Sequence, residues 1–291
     1  MAADNGPATA APKSPLVARI AHGRSLERQI EDVRTYGNHG VSPVLRAGVL
    51  AAMGVPRPAP TAANAIQFGC YRPFTTPFLV RDALRLLELL GVPHTWLDQE
   101  YCCGYPHLAQ AGDGNREEVR EAARDFQRRN RELAASKGAT ALYACCAACA
   151  YAARDLLPDG PVRPAYILDL LLDSLGDRPL SVPAVTLGYF EGCHTTYAAF
   201  FPGGGADWPR YRAFLDRVAG LTLVELTGCC KLNTEKALHQ AEDRGVSALV
   251  SPCGGCVSTL GPAGRGRVRA VSYPELLLAA FEGRDILARQ P

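Results

Sequence analysis

The chain has 291 residues, 47% of them apolar and 21% charged, with a formal net charge of +2. That balance excludes disordered and fibrous classes, and the length suits two ordinary domains or one large one. The one compact basic run, Arg265, Arg267 and Arg269 in GPAGRGRVR, is too little for a nucleic-acid footprint, and no apolar stretch nears the roughly 20 residues that span a bilayer. The opening MAADNGPATAAPKSP has no apolar signal-peptide region. The expectation is a cytoplasmic protein with no nucleic-acid partner and no membrane span.

Residues 1–14 have nothing to bury and read as a disordered tail. From Pro15 to about Tyr36 the pattern is that of an amphipathic helix, and a second short helix is expected from Val44 to Met53. Pro56 to Pro60, PRPAP, then reads as a semi-stiff linker. Residues 1–60 are therefore expected to form a helical extension outside the main body.

After the linker the same order of elements occurs twice, in 61–183 and in 184–291. Strand AIQF leads to Gly69-Cys70, helix FLVRDALRLLELL ends at Gly91, and strand VPHTWL leads to Cys102-Cys103-Gly104. In the second half, VTLGYFE leads to Gly192-Cys193, helix RYRAFLDRV ends at Gly220, and LTLVEL leads to Cys229-Cys230-Lys231. A long charged helix from Asn115 to Ser136 then precedes strand ATALYA and Cys146-x-x-Cys149. Its counterpart, Thr234 to Asp243, precedes VSALVS and Cys253-x-x-Cys256. The halves close with RPAYILDLLLD and RAVSYPELLLA. Strands and helices alternating at this spacing predict two pseudo-repeated, Rossmann-like βαβ halves of α/β class. In such sheets ligands bind at the strand carboxyl ends, where every cysteine group is placed.

Eleven cysteines, three pairs of them adjacent in sequence, fit a disulfide framework poorly and point to metal or redox chemistry. Each half offers five thiols: Cys70, Cys102, Cys103, Cys146 and Cys149, then Cys193, Cys229, Cys230, Cys253 and Cys256. A structural zinc uses four ligands, so five thiols overshoot one zinc, whereas iron–sulfur clusters take dense soft thiolates. Zinc and dithiol redox chemistry remain as alternatives. Cys145 is left over and reads as a small apolar core residue. His107 and His194, each close to a motif cysteine, are candidate proton donors to a leaving thiolate, the plainer role being a hydrogen-bonded turn histidine. Tyr71, Tyr105 and Tyr197 are expected to pack around the sulfurs.

The motif Cys, some thirty residues, Cys-Cys-Gly, a few dozen residues and Cys-x-x-Cys, present twice, resembles the duplicated cysteine-rich CCG domains of the heterodisulfide reductases and of related proteins of sulfur, lactate and glycolate oxidation. The resemblance covers roughly Ala65 to the C-terminus. It implies that each five-cysteine set holds a noncubane 4Fe–4S cluster, and that the two clusters flank a disulfide that is reductively cleaved. Two departures stand out. Only 22 residues separate Cys230 from Cys253, against 42 between Cys103 and Cys146, and Lys231 stands where the motif has glycine. The second centre is therefore the less regular of the two.

The functional expectation is an oxidoreductase acting on sulfur groups, the component of a heterodisulfide-reductase-like complex that cleaves or forms a disulfide or persulfide bond in a bound thiol substrate. The alternative is a non-catalytic electron-transfer component of a flavin-dependent oxidoreductase. The chain lacks the ferredoxin run of four closely spaced cysteines and any convincing dinucleotide fingerprint. The expected partners are accordingly a cubane iron–sulfur subunit and a flavin-bearing subunit.

Overall fold

A computed structural model describes residues 23–192, 194–230 and 232–288. The expected tail, Cys193 and Lys231 lie outside the described residues. The extension contains α1 (Leu26–Tyr36), whose N-cap Ser25 accepts from the Arg28 amide, and α2 (Pro43–Ala52), capped by Ser42 with proline at its start.

The first half runs β1 (Asn64–Gln67), α3 (Arg72–Thr75), α4 (Pro77–Leu89), β2 (His94–Trp96), α5 (Tyr105–Leu108), α6 (Arg116–Ser136), β3 (Ala141–Ala144), α7 (Ala147–Leu156), β4 (Arg163–Tyr166) and α8 (Ile167–Leu175). The second runs β5 (Leu180–Phe190), α9 (Thr195–Phe200), α10 (Trp208–Leu215), β6 (Val218–Leu226), α11 (Thr234–Asp243), β7 (Ala248–Ser251), α12 (Gly254–Ala263), β8 (Arg269–Ser272) and α13 (Tyr273–Glu282). Both sheets are parallel, ordered β2-β1-β3-β4 and β6-β5-β7-β8. The same order built from corresponding strands makes this the expected α/β pseudo-repeat.

The unequal cysteine spacing has a structural cause. Between the adjacent cysteine pair and the Cys-x-x-Cys, the first half carries α5 and the 21-residue α6, while the second carries only the 10-residue α11. One helix expectation fails. Gly220 does not cap a helix but lies inside β6, at the register shift between Ser181 and Val185. Its φ is +83°, and a Cβ there would come within 2.1 Å of the Val182 carbonyl oxygen, so only glycine lets the strands pass.

One apolar core runs through both halves, from Ile30 and Val33 through Ile66 and Tyr166 to Leu276 and Ile286. Helix α4 of the first half packs against α13 of the second. The extension joins this core through Ile30, Val33 and Leu50. Gln29 and Gln110 exchange amide hydrogen bonds of 3.1 and 2.9 Å, and the proline-rich stretch is tied to β2 by Thr95 Oγ1 donating to Ala59 O and Trp96 Nε1 donating to Pro56 O. The stretch runs along the sheet edge rather than as a free spacer. No helix of the described residues is long and apolar enough to cross a membrane.

Candidate metal centre

Four of the strands end just before a cysteine of the first or second set. β1 leads through Gly69 to Cys70, and β3 leads to Cys146, the N-cap of α7, which carries Cys149 one turn on. β7 leads likewise to Cys253, the N-cap of α12, with Cys256 inside the helix, and β6 leads to Cys229-Cys230. Thiols at a helix N-terminus meet the positive end of the helix dipole, which favours thiolate.

The first set converges. Cys70 Sγ lies 3.4 Å from Cys102 Sγ, and the thiols of Cys103, Cys149 and Cys146 are close enough to shift one another's titration. Hydrogen bonds from Cys102 and Cys149 hold the Cys103 thiol well below its usual range, while burial first, then its contacts with Cys103 and Cys70, push Cys102 well above it. Five thiols so crowded, three of them buried, cannot all ionise against one another; a bound cationic centre would let them. Gly69, at φ +89°, makes room for the set, since a Cβ there would sit 3.2 Å from Cys146 Cβ and 3.3 Å from Cys149 Sγ. Gly104 gives the Cys-Cys-Gly motif its physical sense: φ is +81°, and a Cβ would come within 2.3 Å of Ala123 Cβ on α6. The donor set and its glycine cradle fit an iron–sulfur group.

In the second half Cys230 Sγ lies 3.3 Å from Cys256 Sγ, and Cys256 hydrogen-bonds Cys253. The hydrogen bond from Cys256, then those of Tyr197 and the charge of Arg72, push the Cys253 thiol down to about 5 against the opposing effect of burial. Gly192 mirrors Gly69, with φ +88° and a would-be Cβ only 2.5 Å from Cys256 Sγ. Cys229 is half-buried and disulfide-bonded, so it must be reduced before its sulfur can act as a ligand. Cys145 is fully buried, its thiol pushed well up by burial, and its amide donates to Gln67 O.

The two sets face a common seam. Arg72, 2% exposed, donates from Nη1 to the Gly254 carbonyl, next to Cys253, and its guanidinium lies in the field of Cys146, Cys253 and Cys149. Tyr197 OH is 3.6 Å from Cys253 Sγ, and the Tyr197 ring meets the Tyr105 ring edge-on at 5.1 Å. A cavity of about 40 Å³ lies against the first set, bounded by Cys70, Cys103, Cys146, Tyr105, Tyr197 and Gly255. That is room for about one water. A wider cleft of about 540 Å³, around Arg81, Asp82 and Glu282, has no cysteine in its walls.

The two candidate histidines differ. His107 is 1% exposed, and burial pushes it down to about 4, so it is neutral near pH 7; its Nε2 has no hydrogen-bond partner. His194 stacks on Trp208 at 4.8 Å, with Nε2 2.9 Å from Glu191 Oε1 and Nδ1 3.4 Å from Tyr151 OH. Tyr71 packs its ring 5.2 Å from that of His39.

Besides Arg72, two groups escaped the sequence reading. His39, in the loop between α1 and α2, places Nε2 3.2 Å from Cys102 Sγ, and its ring lies 5.0 Å from that of His107. Glu100 receives Arg46 Nη2 at 2.6 Å through one oxygen and the Gly69 amide at 3.1 Å through the other, tying α2 to the Cys70 turn. The signal for His39 was present as Gly37-Asn38-His39-Gly40, a turn between two helices. Nothing local says where that turn docks.

Two solved structures are similar in part. A protein assigned as an Asp/Glu racemase from Yersinia pestis is 12% identical, covering 75% of this chain and 97% of its own, at a TM-score of 0.36. An aspartate racemase homologue from Pyrococcus horikoshii OT3 is 15% identical, covering 74% and 95%, at a TM-score of 0.33. Likeness at that level says nothing of what this chain does. No curated protein matches the chain. Residues 64–153 match the cysteine-rich domain family CCG, a stretch that holds Cys70, Cys102, Cys103, Cys146 and Cys149. Over those residues the first half of this chain is thus similar to the CCG cysteine-rich domain family.

Proposed function

We propose that the chain is the sulfur-handling subunit of a heterodisulfide-reductase-like complex, with one noncubane 4Fe–4S cluster on each five-cysteine set. The observation that carries this reading is the convergence of both sets on one seam, joined by Arg72 and by the Tyr105–Tyr197 pair. Cys70, Cys102, Cys103, Cys146 and Cys149 would hold the first cluster, and Cys193, Cys229, Cys230, Cys253 and Cys256 the second.

The clusters would supply one-electron redox chemistry at sulfur. The overall step takes one disulfide, two electrons and two protons to two thiols. Arg72 keeps a positive charge between the sets, where it steadies thiolate as the S–S bond opens. Tyr105 and Tyr197 shield the seam from water. His194, hydrogen-bonded to Glu191 and partly open to solvent, is the candidate group for passing a proton to the leaving sulfur, whereas His107 is buried and neutral. Electrons would come from a partner bearing a flavin or cubane clusters.

The 40 Å³ cavity favours a second reading, a subunit that only relays electrons, because a disulfide would enter only if the Tyr105–Tyr197 pair parted. The test is to reduce oxygen-free full-length protein with titanium(III) citrate, add a small aliphatic disulfide, and count thiols. The expected result is two thiols per two electrons consumed, lost in Cys103→Ser, with NADH alone giving none. Reoxidation by a dye without thiol formation would leave the relay reading standing. NADH-driven disulfide reduction by the chain alone would contradict the need for a partner.

A further inference from the structure

We propose that His39 is a nitrogen ligand of the metal centre on the first cysteine set, making its donor set mixed nitrogen and sulfur. The proposal rests on the cluster reading above and extends it to a residue outside residues 64–153. His39 Nε2, Cys70 Sγ and Cys102 Sγ all lie within 4.8 Å of one another. Two of the edges are 3.2 Å, from nitrogen to Cys102, and 3.4 Å, between the sulfurs. With metal–sulfur bonds of about 2.3 Å and metal–nitrogen bonds of about 2.0–2.1 Å, neighbouring ligands of a tetrahedral ion sit about 3.5–3.8 Å apart. Those two edges need only spread by a few tenths of an ångström to reach that spacing, and the third already lies within 4.8 Å.

The loop is built to hold that ring. Cys102 donates its amide to Gly37 O at 2.8 Å, and Gly37, at φ +77°, lies so close that a Cβ would be 2.1 Å from Glu100 O. Asn38 closes the turn by donating to Tyr36 O and Val41 O and accepting from the Val41 amide. Arg24 donates to His39 O. The ring itself is 6% exposed and flanked by Tyr71 and His107. A side chain fixed from both its backbone and its flanks is preorganised for one role. Imidazole is neutral, so a centre that takes it as a ligand is less negative than one with a thiolate in that place, and a less negative centre accepts an electron more readily.

The test uses the full chain, grown with ¹⁵N-histidine and loaded anaerobically with iron and sulfide, and reads the paramagnetic state by pulsed EPR. The expected result is a directly bonded histidine nitrogen, its coupling changed by the isotope, kept in His107→Gln and lost in His39→Cys. In His39→Cys iron should stay near the wild-type amount, because a soft donor replaces the imidazole. An iron-loaded protein without bonded nitrogen, or one whose signal survives His39→Cys, would overturn the proposal and leave the cluster reading intact. A protein that takes up no iron would overturn both.

Discussion

Replacing Arg72 with Met is expected to destabilise the reduced, metal-free protein by about 3–5 kcal/mol, the range for removing one partner of a buried charged pair. Cys253, pushed down to about 5, is a thiolate at neutral pH, and Arg72 is the buried cation beside it. Removing the guanidinium leaves that thiolate only its hydrogen bonds from Cys256 and Tyr197, and takes the Nη1 donor from Gly254 O. Cys253 titrates lower when folded than its ordinary 9.0. The stability it contributes is therefore fully present above pH 9.0 and is lost as pH falls through about 5. Denaturant unfolding across that window should show the slope in the wild type and a weaker one in Arg72→Met. An unchanged slope would mean that Arg72 does not support the thiolate.

Glu100→Ala is expected to cost a similar 3–5 kcal/mol or about that, because it leaves Arg46 buried without its carboxylate. The side chains of Arg46 and Glu100 are 6% and 1% exposed, so solvent screens little of their interaction. Arg46 also donates to Leu97 O and Asp98 O, and lies over the rings of Phe68 and Trp96. The Gly69 amide would lose its acceptor, loosening the turn into Cys70. Removing both charges, as Arg46→Met with Glu100→Gln, should recover part of the loss. Proteolysis under native conditions gives a second readout, with α1 and α2 cut faster in Glu100→Ala. A loss in the double variant equal to the sum of the two single losses would show that the pair is not coupled.

Much of this was legible in the sequence because it is local. Strand patterns followed by cysteine indicated the placement of both sets, and the doubled order of elements indicated two like sheets. The shortened span between Cys230 and Cys253 was traceable to a missing helical segment, and α6 against α11 is that difference. The glycines before Cys70 and before Cys193 were visible, but their reason was not, since it lies in Cys149 and Cys256 approaching from helices α7 and α12. Gly220 was misread for the same cause: a β-bulge against Val182 looks, in sequence, like a helix end. Arg72, Glu100 and His39 were overlooked because their meaning lies in contacts at long range. Arg72 meets Gly254 in the other half, and His39 meets Cys102 from the extension.

The central claim, two clusters on ten cysteines, is tested most directly by counting metal in full-length protein purified without oxygen. The account predicts about eight iron atoms and matching acid-labile sulfide per chain, the content of two four-iron clusters. Protein that holds zinc and almost no iron under the same handling would contradict it.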